Sequence, residues 1–196
     1  MELEVGYGLI RLVDQGQGGD LLDRIQMIRR QTAMDLGVVV PPIRIRDNMQ
    51  LDPNAYVLKI RGARVGSGTA YADHFLAMDA SPMGSGKGQL EGIPTKEPAF
   101  GLPAVWVSEL QKSRAEAMGY TVVDATSVLA THLTEIIKRH AHELLTRQEV
   151  LNLVETLKLR APKLVEEVLN KEALTHADLQ KVLQNLLRER VCIRDL

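Results

Sequence analysis

The sequence predicts an α/β plus α protein, in which an α/β layer carries a small inserted unit and a helical piece follows. Three observations predict it. Short runs in the first half alternate apolar and polar residues, the mark of half-buried strands. A helix-period stripe sits among those runs, bounded by Asp20 and Gly37. Beyond Arg147 every apolar pattern has the helical period.

The elements follow in order. Leu3, Val5, Tyr7 and Leu9 alternate and predict a strand over residues 3 to 9. Asp20 can cap the helix whose stripe is Leu21, Leu22, Ile25 and Ile28, and Gly37 can stop it. "VVVPPIRIRDN" predicts a second strand interrupted at Pro41 and Pro42, with Ile43 and Ile45 facing one way. "AYVLKIRGARVGSGTAY" alternates Tyr56, Leu58 and Ile60 against Lys59 and Arg61, then turns near Gly62. "HFLAMD" is a further short strand.

Residues 79 to 104 change character and are rich in Gly, Pro and Ser. The strand "AVWV" comes next, then the helix "SELQKSRAEAMG", with Ser108 and Gln111 fitting a capping box and Gly119 a stop. "YTVVD" is a strand leading into a long helix with Leu129, Leu133, Ile136, Ile137, His140 and Leu144 on one face. The last helices are "QEVLNLVETLKLR", "PKLVEEVL" and "THADLQKVLQNLLRER", the third opening on Thr175 and Asp178. The expected organisation is a discontinuous ferredoxin/RRM-like α/β subdomain over 1–79 and 120–146. A small insert occupies 80–119 and a helical subdomain 147–196. Both ends read as cut, as in a fragment of a longer chain.

Composition narrows the function classes. Of 196 residues, 45% are hydrophobic and 25% charged, the balance of a globular chain. Lys and Arg number 24 against 25 Asp and Glu, so no basic footprint points to nucleic acid. The single Cys192 excludes an internal disulfide. The start "MELEVGYGLI" lacks a basic signal-peptide region, and no apolar run approaches the roughly 20 residues that span a bilayer.

"SPMGSGKG", residues 81 to 88, is the tempting motif, since Gly86 and Lys87 suggest a phosphate-binding loop. That pattern needs Gly at 81 and Ser or Thr at 88, where Ser81 and Gly88 stand. The hydroxyl ligand for magnesium is missing, and "QLEGIPTKEP" supplies no helix N-terminus to hold phosphate. The expectation is a linker-like loop without nucleotide.

Among the five histidines, His140 and His142 on one helix would face about 200° apart and cannot share an ion. His132 and His140 lie two turns apart. His74 and His176 lack partners at ligand spacing, so no metal and no cofactor is expected. No serine sits in a nucleophile elbow and no carboxylate pair stands out, so no catalytic residue is assigned. An RNA-binding role on the first layer is disfavoured by the 4% aromatic content.

The remaining question is "TKEPAFGLPAVWV". The chain has two Phe and one Trp, and this run holds Phe100 and Trp106. Trp106 fits a buried strand position. Phe100 sits between Pro98 and Pro103 beside Gly101, off any regular element. It is either a plug for a small core or an exposed anchor on a binding loop. Periodicity leaves both open.

The runs "GGDLLDRIQMIRRQTAMDLGVVVPPIRIRDN", "GIPTKEPAFGLPAVWV", "GYTVVDATSVLATHLTEIIKRHAHELLTRQEV" and "LQKVLQNLLRERVCIRDL" stand in order along the chain. They resemble the cytoplasmic domain of the FHIPEP family, the export-gate components of flagellar biosynthesis and virulence type III secretion. "IRIRDN" and "EPAFGL" look more flagellar than virulence-type. The resemblance implies an α/β subdomain interrupted by a smaller one, then helices. It also implies transmembrane helices before residue 1 and a further subdomain after residue 196.

The resemblance implies a non-enzymatic docking platform on the cytoplasmic side of the bacterial inner membrane. There, nonameric rings receive flagellar export chaperones with their substrates, late substrates and other export-apparatus proteins. Carried over, its docking dimple falls on Glu97, where many relatives have Asp, and on Phe100, Val123, Val128 and Thr131. It makes Phe100 a partner anchor beside a charged rim residue. The rivals are a nucleotide-binding module using Lys87, a single-strand RNA binder, and a purely structural ring-forming piece.

Overall fold

In the computed structural model, residues 1–79, 90–169 and 174–194 are described. The phosphate-loop-like run with Lys87 lies outside them. The strands are β1 (Glu2–Val5), β2 (Arg44–Asp47), β3 (Ala55–Ile60), β4 (Ala63–Thr69), β5 (His74–Met78), β6 (Ile93–Lys96), β7 (Pro103–Ser108) and β8 (Thr121–Asp124). The helices are α1 (Ile10–Val13), α2 (Leu21–Leu36), α3 (Glu109–Ala117), α4 (Ala125–Arg139), α5 (Ala141–Leu144), α6 (Arg147–Arg160), α7 (Pro162–Leu169) and α8 (His176–Arg188). The chain groups into two units, Met1–Ile25 with Pro42–Ile136, and Gln26–Pro41 with Ile137–Leu196.

The first unit holds two four-stranded sheets, ordered β2-β1-β3-β4 and β6-β7-β5-β8. In the first sheet β1 runs parallel to β2 and antiparallel to β3. The expected alternation buries Leu3, Val5, Tyr56, Leu58 and Ile60. β1 ends at Val5, earlier than its alternation suggested. The amides of Gly6 and Gly8 donate to the carbonyls of Ala55 and Pro53, and residues 7 to 9 wind into a 3₁₀ turn. β3 and β4 form the expected hairpin, with Arg61 and Gly62 both at positive φ, as a two-residue turn demands.

The second sheet differs from expectation in its membership. β5 pairs antiparallel with both β7 and β8, so one sheet joins residues across the expected 79/80 and 119/120 boundaries. Alternation locates a strand but carries no information about its neighbours. β6 was not expected, since it lies in the Gly-, Pro- and Ser-rich run 79 to 104; it is an edge strand, where its Pro94 is tolerated.

The two faces of this sheet are used differently. Ala77 and Val107, with Phe75, Val105 and Val122 partly buried around them, pack with Ala115 of α3 in a small core. The opposite face carries the fully buried Leu76 and Trp106. Trp106 meets the ring of Tyr71 edge-on, 5.7 Å between centroids. The small core is therefore filled without Phe100. The expected second strand starts only at Arg44; Val38 and Val40 are buried in irregular chain ahead of Pro41 and Pro42.

In the second unit the helices match their expected spans closely. Capping boxes open α6 at Thr146 with Glu149 and α8 at Thr175 with Asp178. Gln180 and Gln184 of α8 both donate side-chain hydrogen bonds to the Leu145 carbonyl, at 3.1 and 3.3 Å. One expectation needs correcting. The helix breaks at His140, so His140 and His142 do not share a helical cylinder. Their rings stack with 6.4 Å between centroids, and His140 Nδ1 lies 2.7 Å from Glu143.

Candidate functional site

Strands β6 and β7 pair in the register Lys96 opposite Pro103, so residues 97–102 are the loop of a hairpin. The Glu97 amide donates to the Leu102 carbonyl, and the Gly101 amide donates to the Glu97 carbonyl, both at 2.8 Å. Gly101 takes φ 73, a left-handed conformation that glycine adopts without strain and that turns the chain back into β7. The Glu97 carboxylate closes the loop from within. Its Oε1 accepts from the Ala99 amide at 2.9 Å and its Oε2 from the Phe100 amide at 2.6 Å.

This geometry puts Phe100 at the tip of the loop with 62% of its surface exposed. Beside it lies a concavity of about 250 Å³ lined by Met78, Glu97, Phe100, Leu102, Val123, Ser127, Val128 and Thr131. Glu97, Phe100, Val123, Val128 and Thr131, singled out in the sequence, therefore line one depression. Met78 and Val123 come from the face of the second sheet opposite α3, while Val128 and Thr131 stand one turn apart on α4. Val128 is buried at 3%, and Thr131 is exposed.

Glu97 departs from its expected place. It was expected on the rim, open to a partner; it is 4% exposed, with both oxygens committed to loop amides. A buried carboxylate needs such donors to offset its lost hydration. Its charge is also felt at Tyr56, where burial first, and the Glu97 carboxylate second, push the phenol's pKa up.

The α4 side is pinned by a polar network. Asp124 caps the helix, accepting from the Ser127 amide at 2.9 Å and the Ser127 hydroxyl at 2.5 Å. The Ser127 hydroxyl accepts in turn from Arg24, which pairs with Asp20. Burial raises the Asp124 pKa, but the Ser127 hydroxyl and amide and the Arg24 charge outweigh it and hold the carboxyl below its usual value.

Sequence reasoning missed three lining residues. Met78 could have been found as the same-face neighbour of Leu76 on β5, and Leu102 as the residue closing the loop after Gly101. Ser127 could have been found as the third residue after a capping aspartate. Among the described residues, no group of three or more His, Cys, Asp or Glu side chains could hold a metal ion. The depression offers an apolar surface with a fixed polar margin, suited to receiving an apolar side chain.

The sequence matches the FHIPEP family over residues 1–196. It is 56% identical over 196 residues to the flagellar biosynthesis protein FlhA of Bacillus subtilis, covering 100% of this chain and 28% of that protein. The chain thus spans little more than a quarter of the length of that relative. The fold is similar to that of Chlamydia pneumoniae CdsV in its complex with CdsO, at a TM-score of 0.80 and 26% identity, covering 99% of this chain and 60% of that one. It also resembles the nonameric EscV cytosolic domain from the type III secretion system, at a TM-score of 0.64 and 16% identity, covering 99% of this chain and 54% of that one. At that identity the likeness concerns the fold alone.

Proposed function

The chain belongs to the FHIPEP family, and from that premise we propose that it is a cytoplasmic docking platform of a flagellar type III protein export gate. It binds and presents, without catalysing a reaction. The observation that carries this reading is the apolar depression with Phe100 exposed at its edge. A large aromatic held at 62% exposure on a loop fixed by its own hydrogen bonds is the layout of a hot-spot anchor. Core duty is already met by Trp106 and the α3 cluster.

The proposed partners are flagellar export chaperones carrying their substrates, late substrates, and other proteins of the export apparatus. CdsV, solved in complex with CdsO, is a precedent for a protein partner. Assembly into a ring, as named for the nonameric EscV domain, is part of the proposal. So is a place on the cytoplasmic side of the bacterial inner membrane, the whole protein being anchored in it. None of the described helices is long and apolar enough to cross a membrane. The division into an α/β subdomain, an insert and a helical piece is also proposed, with β5 and β8 joined to the insert by their pairing.

The test is a titration of the protein against a flagellar chaperone loaded with its cargo, labelled nucleotide and single-stranded RNA. Saturable binding is expected for the first, weakened about thirtyfold or more in Phe100→Ala. Saturable nucleotide or RNA binding, with none of the chaperone complex, would replace the reading with one of its rivals.

A further inference from the structure

Glu97 lies within the depression assigned to docking, yet it is nearly buried and turned onto its own loop. Both carboxylate oxygens accept from amides of the same loop, Ala99 at 2.9 Å and Phe100 at 2.6 Å. Its own amide and carbonyl close the loop across to Leu102 and Gly101. The side chain is 4% exposed while its neighbour three residues on is 62% exposed. A partner reaching for this carboxylate would meet a nearly buried group, each of whose oxygens is already oriented by a strong hydrogen bond from its own loop.

We propose that Glu97 is a positioning residue: it holds the 97–101 turn in the form that presents Phe100, and itself makes no contact with the docked partner. This rests on the docking reading of the depression. The length of the side chain suits the task. Its two oxygens reach the amides two and three residues ahead separately, so a single acidic group fixes two successive peptide planes. Gly101 completes the turn with its left-handed backbone. The acidic residue then governs affinity through the orientation of Phe100. Charge attraction to a basic group on the partner plays no part.

The substitution Glu97→Gln separates the two possibilities. The amide keeps one acceptor oxygen but turns an NH₂ toward an N–H, so one of the two loop bonds becomes a donor–donor clash. Hydrogen exchange of the Ala99 and Phe100 amides is measured first, in the free protein. Exchange is expected to accelerate about tenfold or more, the scale of losing one hydrogen bond to a charged acceptor. Glu97→Asp, which keeps the carboxylate, is expected to restore part of the protection.

Affinity for a cargo-loaded flagellar chaperone is then measured for Glu97→Gln, Phe100→Ala and the double variant. Positioning predicts that the double variant binds no worse than Phe100→Ala alone, because both changes act through one aromatic ring. Unchanged amide exchange, or additive losses in the double variant, would overturn the proposal and make Glu97 a direct contact. Intact chaperone affinity in Phe100→Ala would sink the docking reading instead. The exchange arm, read without any partner, still decides whether Glu97 holds the turn.

Discussion

The Tyr56 hydroxyl lies 2.8 Å from His132 Nδ1, joining the middle of β3 to α4 inside the first unit. Tyr56 is 0% exposed and His132 7%. The rings meet edge-on, 5.8 Å between centroids. Tyr56→Phe keeps the packing and deletes this hydrogen bond, leaving a buried ring nitrogen without that partner. The expected cost is about 1–3 kcal/mol of unfolding free energy, read as a lower urea midpoint with an unchanged slope. A midpoint equal to the wild type would mean the pair contributes nothing.

Phe100→Ala separates docking from folding. Chaperone affinity is expected to fall by roughly 2 kcal/mol or more, the range of a hot-spot residue, or about thirtyfold. Stability should move by no more than about 0.5 kcal/mol, as for an exposed side chain. Trp106→Ala is the counterpart: at 1% exposure it should cost about 3–5 kcal/mol of stability. Thermal unfolding beside calorimetric titration decides. A strongly destabilised Phe100→Ala protein that still binds would return that ring to the core.

Acid should weaken the first unit by a defined route. Asp124 sits below its ordinary pKa of 3.8 because Ser127 and Arg24 outweigh the opposing effect of burial. Glu4 sits below 4.5 through hydrogen bonds from Lys59 and then Asn48. A depressed carboxyl stabilises the fold fully above its unfolded pKa and loses that contribution as pH falls through the folded one. Stability should therefore be nearly level above about pH 5 and decline below it. Asp124→Asn should flatten part of that decline in urea midpoints taken from pH 6 down to about pH 2.5. An identical decline in the variant would absolve Asp124.

Gly37→Ala tests the end of α2. Gly37 takes φ 77, and an added Cβ would stand 2.5 Å from the Arg194 amide nitrogen. The Ile193 amide donates to the Leu36 carbonyl at 3.0 Å, so the C-terminal segment is tied to this helix end. The expected cost is about 1–3 kcal/mol from the strained backbone, plus loss of amide protection at Ile193. Retained protection there would show that the segment is held by other contacts.

Where the sequence was readable, one residue settled a local conformation. Gly37 ends α2 because a left-handed stop is a local requirement, and Asp20 stands just ahead of its first residue with its carboxylate on Arg24. The Tyr56, Leu58 and Ile60 alternation marks β3 because burial on one face is local too. β1 was overextended because Tyr7 and Leu9 keep a two-residue rhythm that a tight 3₁₀ turn can also produce. The membership of the second sheet stayed hidden, since β5 finds β7 and β8 only through long-range pairing. The site residues came from the family resemblance; periodicity left Phe100 undecided between core and surface. Glu97 was expected on the rim from the usual layout of a docking hot spot, an apolar anchor with a charged margin. Its two amide donors, from the residues just after it, are visible only once the loop is built.

The walls of the depression come from β5, from the loop between β6 and β7, and from the β8–α4 junction. It is thus a discontinuous epitope. A synthetic peptide copying residues 95–107 would carry Phe100 without the valines that flank it, and should not compete for a partner that needs the whole depression. Whatever reads this surface therefore also inspects the protein's folded state. On the docking proposal, an unfolded or clipped chain would offer such a partner no surface to read.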